Sequence, residues 1–432
     1  MPRRGRAVAA ILPCLAWLLL CAGAPAALAQ SPAAPRSAAL PPAAQTALRK
    51  ALAPLIERGG VAVGYDGDVV FVHGPGVYVP ASILKLATAQ AAFARLGPDY
   101  RFRTAFYLDA ARNLIVKGYG DPFLVSEEWQ LIGRALDAVG AFRQPLGDLV
   151  LDDAAVDADV TVDGVGDSTN PYDARLGALV VNFNTINVHV GPRGDVTSAE
   201  PQTPLTPLAR ELGRHLPRGE QRINLSQDAG NAARYAGELV RALLEQAGAT
   251  FRGDTRRGHA PQGLTPLLVH RSSRALPEVV QGMLQYSNNF IANQLVLGLA
   301  LEHGGEPARL DAGVAVLRAA IAQHLQLGPP ALVLAEGSGI SRRNRADLLA
   351  MLRLVDGFHP WQHLLREFGP PGRGVPGKTG NLQDVYTLAG FLPAEPPHRR
   401  PFVVMLNQRR NTRDAVFEAL YDTFAPGGVT RR

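Results

Sequence analysis

Short apolar runs near both ends of the chain predict β-strands. Residues 61–65 and 68–72 flank an Asp-Gly dipeptide, which favours the positive φ angles of a tight hairpin turn. Residues 385–392 and 402–406 form a second pair of apolar runs, joined through a Pro-Pro dipeptide. We therefore expect a hairpin near the start of the folded chain and two antiparallel strands near its end.

Helix-forming stretches surround these runs. The clearest extends from residue 82 to residue 96, contains no Gly or Pro, and is stopped by a Gly-Pro dipeptide. Ser82 would therefore begin a buried helix, where unpaired backbone N–H groups favour negative charge. Further helical patterns lie at residues 45–58, 232–247, 276–301 and 412–424.

The middle of the chain has a different composition. Residues 98–271 are rich in Gly, Asp, Val and Asn, and they include the strand-like runs 149–151 and 177–183. This segment is long enough to hold an added domain. We therefore predict a mixed α/β protein in which residues 44–97 and 272–432 form one discontinuous domain. Residues 98–271 would form an inserted, mostly-β domain or domains.

The N-terminus has the pattern of a secretory signal. Three arginines precede an apolar run over residues 7–23 and an Ala-Leu-Ala sequence, the order typical of a cleavable signal peptide. We expect residues 1–29 to be removed and residues 30–43, rich in Ala, Pro and Ser, to form a flexible linker. Lipoprotein processing at Cys21 is the alternative, and the bulky Leu20 directly before it argues against that alternative.

Removal of the signal would change the composition. Both cysteines, Cys14 and Cys21, lie in the signal, so the mature chain would contain no disulfide, thiolate metal site or Cys nucleophile. The loss of three arginines and no acidic residue lowers the formal net charge from +6 to +3. That charge is too small to indicate a nucleic-acid partner and fits a protein working near anionic envelope polymers. The 10 histidines are scattered along the chain, and we expect neither a metal nor another cofactor.

The candidate chemistry starts from the lysines. The chain has only four lysines among 44 Lys and Arg residues, and two of them fall within Ser82-x-x-Lys85 and a Lys-Thr-Gly motif. A neutral amine can act as a base, whereas a guanidinium cannot. Because positions i and i+3 share one helix face, Lys85 can reach the Ser82 hydroxyl, provided that burial and a nearby cation depress its pKa. An ordinary helix start with a solvent-facing lysine is the alternative for this motif alone.

A second motif, Ser287-x-Asn289, precedes a helix-like stretch. The Ser287 hydroxyl could relay a proton to a leaving amine, and the Asn289 amide could hold a substrate carbonyl. Taken alone this motif is weak, because the same tripeptide is common as a helix cap.

The third motif is Lys378-Thr379-Gly380, which precedes a predicted strand. Its amine and hydroxyl make a receptor for a carboxylate, and Gly380 would let a substrate lie flat against the strand. The N–H of Asn381 could pair with that of Ser82 to form an oxyanion hole. A surface turn is the alternative for this motif on its own.

The ordered set Ser-x-x-Lys, Ser-x-Asn and Lys-Thr-Gly is the signature of β-lactamases and penicillin-binding proteins. The chain most resembles the low-molecular-mass class C penicillin-binding proteins, which are D-alanyl-D-alanine carboxypeptidases and endopeptidases of the bacterial envelope. The resemblance extends over about residues 45–424, and the matching stretches are residues 80–82, 96–102, 118–122, 147–153 and 337–342.

The resemblance implies a penicillin-recognising αβα core, of the serine transferase/β-lactamase-like fold, with its extra domain inserted between the first two motifs. It also implies a periplasmic enzyme that acts on the D-Ala-D-Ala stem peptides of peptidoglycan and is inhibited covalently by β-lactam antibiotics. A peripheral membrane contact through the C-terminal helix stays open. Carried onto matching positions, Ser82 is the acylated nucleophile, Lys85 its base, Ser287 the proton relay and Asn289 the substrate-amide contact.

The resemblance also implies the substrate-binding residues. Lys378 and Thr379 would bind the terminal carboxylate of D-Ala. Asp121 and Arg342 are candidates for a pocket that reads the amine and carboxylate of a diaminopimelate side chain, although an Asp before Pro is also an ordinary turn residue. The family usually continues Lys-Thr-Gly with Thr or Ser, whereas this chain has Asn381, which lacks that hydroxyl.

Two rival functions follow from the same motifs. A β-lactamase of one class needs a Glu that activates water, and no Glu between Asn289 and Lys378 lies in a Glu-x-x-Leu-Asn context. We therefore expect penicillin to stay bound to the protein. The other rival is a penicillin-binding sensor or scaffold without turnover. The intact lysines argue against it, because an unused site has no physical reason to keep a buried amine.

Overall fold

The computed structural model describes residues 40–166, 170–225 and 228–425. The predicted signal peptide and residues 30–39 of the predicted linker lie outside them. Over the described residues the chain forms ten α-helices and seventeen strands. The helices are α1 (Pro42–Leu52), α2 (Lys85–Leu96), α3 (Ser126–Ala138), α4 (Pro207–Gly213), α5 (Ala229–Gln246), α6 (Leu276–Gln285), α7 (Asn289–Gly304), α8 (Leu310–Leu325), α9 (Leu348–Gly357) and α10 (Arg413–Phe424). The strands are β1 (Gly59–Tyr65), β2 (Asp68–His73), β3 (Val77–Tyr78), β4 (Arg103–Leu108), β5 (Leu114–Gly118), β6 (Leu149–Asp152), β7 (Thr185–Val190), β8 (Val196–Ser198), β9 (Gly219–Asn224), β10 (Thr255–Arg257), β11 (Leu268–Arg271), β12 (Leu332–Val333), β13 (Arg345–Asp347), β14 (Arg366–Phe368), β15 (Val375–Leu382), β16 (Val385–Leu392) and β17 (Arg400–Leu406).

A six-stranded antiparallel sheet, in the order β14-β15-β16-β17-β1-β2, joins the two ends of the chain. Side chains alternate between its faces, as the strand period of two requires. Val61 and Val63 of β1 pack in the core beneath α1 and α10, whereas Ala62 packs in the core formed with α2, α7, α8 and α9. Helices therefore cover both faces, and the sheet is the middle layer of an αβα sandwich.

The segment between α2 and α6 builds two further sheets. One has five strands in the order β10-β6-β5-β4-β11, and the other has three in the order β8-β7-β9. Buried side chains from one face of each sheet share a core with α3, α4 and α5, which includes Trp129, Leu239 and Leu243. The segment thus contains helices as well as strands, and the predicted domain boundaries stay a prediction.

Most predicted elements have counterparts in the structure. The hairpin at the Asp-Gly turn, the strand pair near the C-terminus, α5 and α10 all form within a few residues of the predicted bounds. The helix predicted for residues 45–58 starts three residues earlier and ends at Leu52. The single helix predicted over residues 276–301 is divided into α6 and α7 by residues 286–288.

The strand predicted for residues 177–183 is wrong. Asn182 and Phe183, with Asn184, have φ angles of 44°, 57° and 49°, and this left-handed backbone cannot continue a strand. A distant segment holds the bend, because the Asn182 N–H donates to the Leu124 carbonyl and its side-chain Oδ1 accepts from the Ser126 N–H. Asn tolerates the left-handed region better than most residues, which permits the bend.

Within the part of the chain that the structure describes, no helix combines the length and the apolar composition needed to cross a membrane.

Candidate active site

A short 3₁₀ turn, Ala81–Leu84, leads directly into the buried helix α2 and places Ser82 beside Lys85. The Lys85 amine is fully buried and lies 3.1 Å from Ser82 Oγ, 2.7 Å from Asn289 Oδ1 and 2.8 Å from the Ser338 carbonyl oxygen. The Asn289 and Ser338 oxygens can only accept, so a neutral amine gives them its two N–H groups. Its lone pair then faces the Ser82 hydroxyl, which is the arrangement that general-base activation of a serine requires.

The surroundings of Lys85 favour this neutral form. Burial lowers the pKa of Lys85 well below its usual value, and the charge of Lys378 lowers it further. The carboxylates of Glu336 and Asp173 act in the opposite direction and are the smaller influences. The alternative of a solvent-facing lysine at a helix start does not fit a side chain with no exposed surface.

The second motif lies at the start of α7. Asn288 caps this helix, because its Oδ1 accepts from the Ile291 N–H at 2.9 Å. The helix cap is therefore Asn288, the middle residue of the motif. Ser287 instead contacts Lys378, and Asn289 contacts Lys85. Ser287 adopts a φ of 51°, an uncommon conformation for a residue with a side chain and one that clusters at functional sites.

Lys378 completes the opposite wall of the site. Its amine donates to Ser287 Oγ at 2.9 Å and to the Thr379 carbonyl at 2.6 Å, and only 3% of the residue is exposed. Burial, together with the nearby charge of Arg413, lowers the pKa of Lys378 to about 7. The pKa of Lys378 is therefore much closer to neutral pH than that of an ordinary lysine.

Strand β15 presents an edge to this site. β14 pairs with β15 only as far as Gly377, so beyond that residue no described strand covers this edge. An extended peptide could add there as a further strand. Gly380 is required for the close packing of this strand on the serine turn, because a Cβ atom at this position would lie 2.3 Å from Thr387 Oγ1 and 2.8 Å from the Ser82 nitrogen. The same proximity supports the predicted oxyanion hole, which stays a prediction.

Comparison with known proteins identifies the family of this chain. The model of the D-Ala-D-Ala carboxypeptidase 3 (S13) family matches residues 60–209 and 212–422. The chain belongs to this family. The predicted assignment to the low-molecular-mass class C penicillin-binding proteins and the prediction of a serine-type peptidase are thereby confirmed.

Two curated relatives of this S13 family chain support the match. The chain is 28% identical over 383 residues to a D-alanyl-D-alanine carboxypeptidase of Actinomadura sp. (strain R39), covering 73% of this chain and 71% of the relative. It is 26% identical over 394 residues to the D-alanyl-D-alanine carboxypeptidase DacB of Haemophilus influenzae, covering 78% and 81%.

A solved structure supports the fold. Penicillin-binding protein 4 of H. influenzae superposes with a TM-score of 0.69 at 22% identity, over 87% of this chain and 99% of that one. The same protein in complex with a β-lactam gives a TM-score of 0.65. The predicted penicillin-recognising αβα fold is confirmed.

The two remaining predicted residues of this S13 peptidase, Asp121 and Arg342, form no hydrogen bond with the three motifs in the described part of the chain. Asp121 is buried and accepts from the Phe123 N–H at 2.8 Å, and burial raises its pKa to about 6. Arg342 is exposed and donates to the Gln383 carbonyl. No hydrogen bond or ion pair among the described residues joins Asp121 to Arg342, so their shared pocket stays a prediction.

Sequence reasoning missed two contributors to the site. The Ser338 carbonyl oxygen contacts Lys85 from a loop that Glu336 holds in place, and Arg413 contacts Asn381 from the start of α10. A main-chain oxygen has no signature in the sequence, and Arg413 is 32 residues from Asn381 without a motif around it. Among the described residues there is no cluster of His, Cys, Asp or Glu that could hold a metal ion.

Proposed function

We propose that the chain is a serine D-alanyl-D-alanine carboxypeptidase/endopeptidase that cleaves peptidoglycan stem peptides or cross-links through an acyl-enzyme on Ser82. The observation that carries this proposal is the set of three contacts made by the buried Lys85 amine. Two of them occupy its N–H groups and the third directs its lone pair at Ser82. The family membership supplies the substrate class, a peptide that ends in D-Ala-D-Ala.

The first half of the reaction makes the acyl-enzyme. Ser82 Oγ bonds to the carbonyl carbon of the bond between the two D-Ala residues, and its proton passes to Lys85 Nζ. The C–N bond then breaks, and the departing amine takes a proton through the Ser287 hydroxyl, which also contacts Lys378. Charge that develops on the substrate oxygen would be stabilised by backbone N–H groups between the serine turn and β15.

The second half regenerates the enzyme. Water attacks the acyl carbonyl and gives a proton to Lys85 Nζ, the Ser82 ester bond breaks, and Ser82 Oγ takes that proton back from Lys85. Lys378 and Thr379 would hold the carboxylate of the leaving residue during the first half, so this carboxylate defines the C-terminal end of the substrate. A terminal D-Ala leaving group gives carboxypeptidase activity, and the linked residue of a neighbouring stem peptide gives endopeptidase activity.

The place of action follows from the same reaction. Peptidoglycan lies outside the cytoplasmic membrane, so the protein should be exported by its N-terminal signal and act in the periplasm. β-Lactam antibiotics should bind covalently, because they offer Ser82 a carbonyl carbon and a neighbouring carboxylate. A peripheral membrane contact stays a prediction without structural support among the described helices.

Three of the glutamates between Asn289 and Lys378 are already engaged, which disfavours a role for them in the β-lactamase alternative. Glu302 and Glu306 form ion pairs with Arg103 and Lys117, each at 2.6 Å. Glu336 accepts five hydrogen bonds from its own loop and its neighbours. None of these carboxylates is left to activate a water on an acyl-enzyme, which is what rapid release of a penicilloyl group requires.

Labelling with a fluorescent penicillin tests the acyl-enzyme. We expect one label per molecule of the wild-type protein, stable to denaturing electrophoresis, and none in Ser82→Ala. Labelling that survives this substitution would refute the assignment of the nucleophile. Rapid loss of penicillin without a persistent adduct would favour a β-lactamase.

Digestion of purified muropeptides tests the substrate. Release of D-Ala from pentapeptide monomers reports carboxypeptidase action, and conversion of cross-linked dimers to monomers reports endopeptidase action. If a folded protein that is labelled by penicillin produced neither product, the non-catalytic sensor or scaffold would be the better description.

A further inference from the structure

Arg413 is a guanidinium placed at the substrate edge of β15. It is the first residue of α10, its side chain is 11% exposed, and its Nη1 donates to Asn381 Oδ1 at 2.9 Å. Its guanidinium carbon lies 5.4 Å from the centre of the Phe368 ring, which supports one face of the group. Asn381 directly follows the Lys-Thr-Gly motif, so Arg413 is held next to the proposed carboxylate receptor.

The hydrogen bonds of Arg413 to described residues leave part of its guanidinium group available. Its Nε donates to Asp414 Oδ1 at 3.1 Å, and the Asp414 side chain is 71% exposed, so water weakens this pair. Nη2 has no hydrogen-bond partner among the described residues. Arginine binds carboxylates through a planar fork of N–H donors, and this nitrogen is the donor that remains.

The partial charge of Lys378 is a second reason to look for another cation at the carboxylate receptor. With a pKa of about 7, Lys378 carries only part of a positive charge at neutral pH, and its N–H groups already reach Ser287 and the Thr379 carbonyl. A guanidinium stays charged throughout this pH range. Asn381 offers no hydroxyl to the carboxylate; instead its side-chain oxygen is committed to Arg413.

We propose that Arg413, positioned by Asn381, binds the C-terminal carboxylate of the substrate together with Thr379 and so makes the enzyme selective for a free carboxyl end. This inference rests on the proposed acylation of Ser82 and adds to it the residue that recognises the leaving group. Asn381 is then a positioning residue, and Arg413 supplies the anion contact at this point of the strand.

A pair of ligands separates carboxylate recognition from all other effects. One is a penicillin with its free carboxylate, and the other is the methyl ester of the same penicillin. Acylation is followed as the mass of the covalent adduct on the intact protein, so even a slow reaction accumulates to a measurable level. The proteins are wild type, Arg413→Ala, Arg413→Gln and the control Arg410→Ala, which removes the same charge from a nearby side chain that donates to the Pro54 carbonyl.

The expected result is a selective loss. A charge-assisted hydrogen bond of the usual strength corresponds to a fall of about 10- to 100-fold in the acylation rate constant for the free acid. The rate for the ester should change less than about threefold in both Arg413 variants, and Arg410→Ala should change neither. Arg413→Gln keeps a donor for Asn381, so it provides a folded variant if Arg413→Ala loses stability.

Two other outcomes would overturn the inference, and they differ from failure of the proposed function. If both Arg413 variants react with acid and ester as the wild type does, Arg413 does not bind the carboxylate. If the acylation rate constants for the acid and the ester fall equally in these variants, Arg413 only maintains the structure. In either case wild type is still acylated at Ser82; absence of any adduct on wild type would instead refute the proposed function itself.

Discussion

Glu336 fixes the loop that supplies the Ser338 carbonyl to Lys85, so replacing it should disturb both stability and acylation. Its carboxylate is 1% exposed. One oxygen accepts from the Gly339 N–H at 2.6 Å, the Ser341 N–H at 3.4 Å and the Asn344 amide at 2.8 Å. The other accepts from the Ser338 N–H at 2.6 Å and the Asn293 amide at 3.0 Å. All five partners are donors.

The substitution Glu336→Gln keeps the size of the side chain but replaces one acceptor with an NH₂ group. In the less costly orientation, the NH₂ replaces the oxygen that faces Ser338 and Asn293, so two hydrogen bonds are lost and donors face donors. Hydrogen bonds to a charged group contribute about 1.5–3 kcal/mol each, which gives a loss of about 3–6 kcal/mol. Since domains are stable by only about 5–15 kcal/mol, this is a large fraction of the total.

Urea unfolding followed by circular dichroism measures this loss, with the exposed Glu395→Gln as the matched control. The acylation rate with penicillin, measured below the unfolding transition, should fall as well, because a shifted Ser338 carbonyl no longer orients the Lys85 amine. If the free energy of unfolding of Glu336→Gln lies within about 1 kcal/mol of the wild-type value and its acylation rate is unchanged, the proposed role of this loop is refuted.

Three further predictions concern the site directly. Lys85→Arg and Lys378→Arg replace a titratable amine with a permanently charged guanidinium, and each should slow penicillin acylation by about 10²- to 10⁴-fold; an active Lys85→Arg protein would contradict the base mechanism. Gly380→Ala places a methyl group 2.8 Å from the Ser82 nitrogen and should reduce acylation about 10²-fold, with circular dichroism checking that the fold is kept. The second-order acylation constant should fall as pH rises through about 7, because Lys378 then loses the proton that attracts the substrate carboxylate. A profile measured between about pH 5 and pH 9 checks this, and a constant rate above pH 7 would exclude such a role for Lys378.

The parts of the site that the sequence predicted are those with a short-range signal. The i, i+3 spacing of Ser82 and Lys85 placed both groups on one helical turn, and the structure joins them at 3.1 Å. The Asp-Gly turn predicted the first hairpin in the same way, because positive φ angles are a property of the dipeptide itself.

The parts that the sequence could not predict depend on distant segments or on the main chain. Lys85 contacts Asn289 and Ser338, which are 204 and 253 residues away, and no local pattern encodes those approaches. The apolar run at residues 177–183 forms no strand, because burial alone does not define one. Its backbone bonds to neighbouring loops instead, through the left-handed turn at Asn182 and Phe183.

The cations of the site form an electrostatic series that links substrate binding to activation of the base. Arg413 helps to lower the pKa of Lys378, and the charge of Lys378 helps to lower the pKa of Lys85. In the proposed mechanism, a substrate carboxylate arriving at Arg413 and Thr379 favours the charged form of Lys378, because opposite charges attract. The added charge on Lys378 in turn favours the neutral form of Lys85. Binding of the correct C-terminus would thus increase the fraction of enzyme in which the base is ready to accept the Ser82 proton.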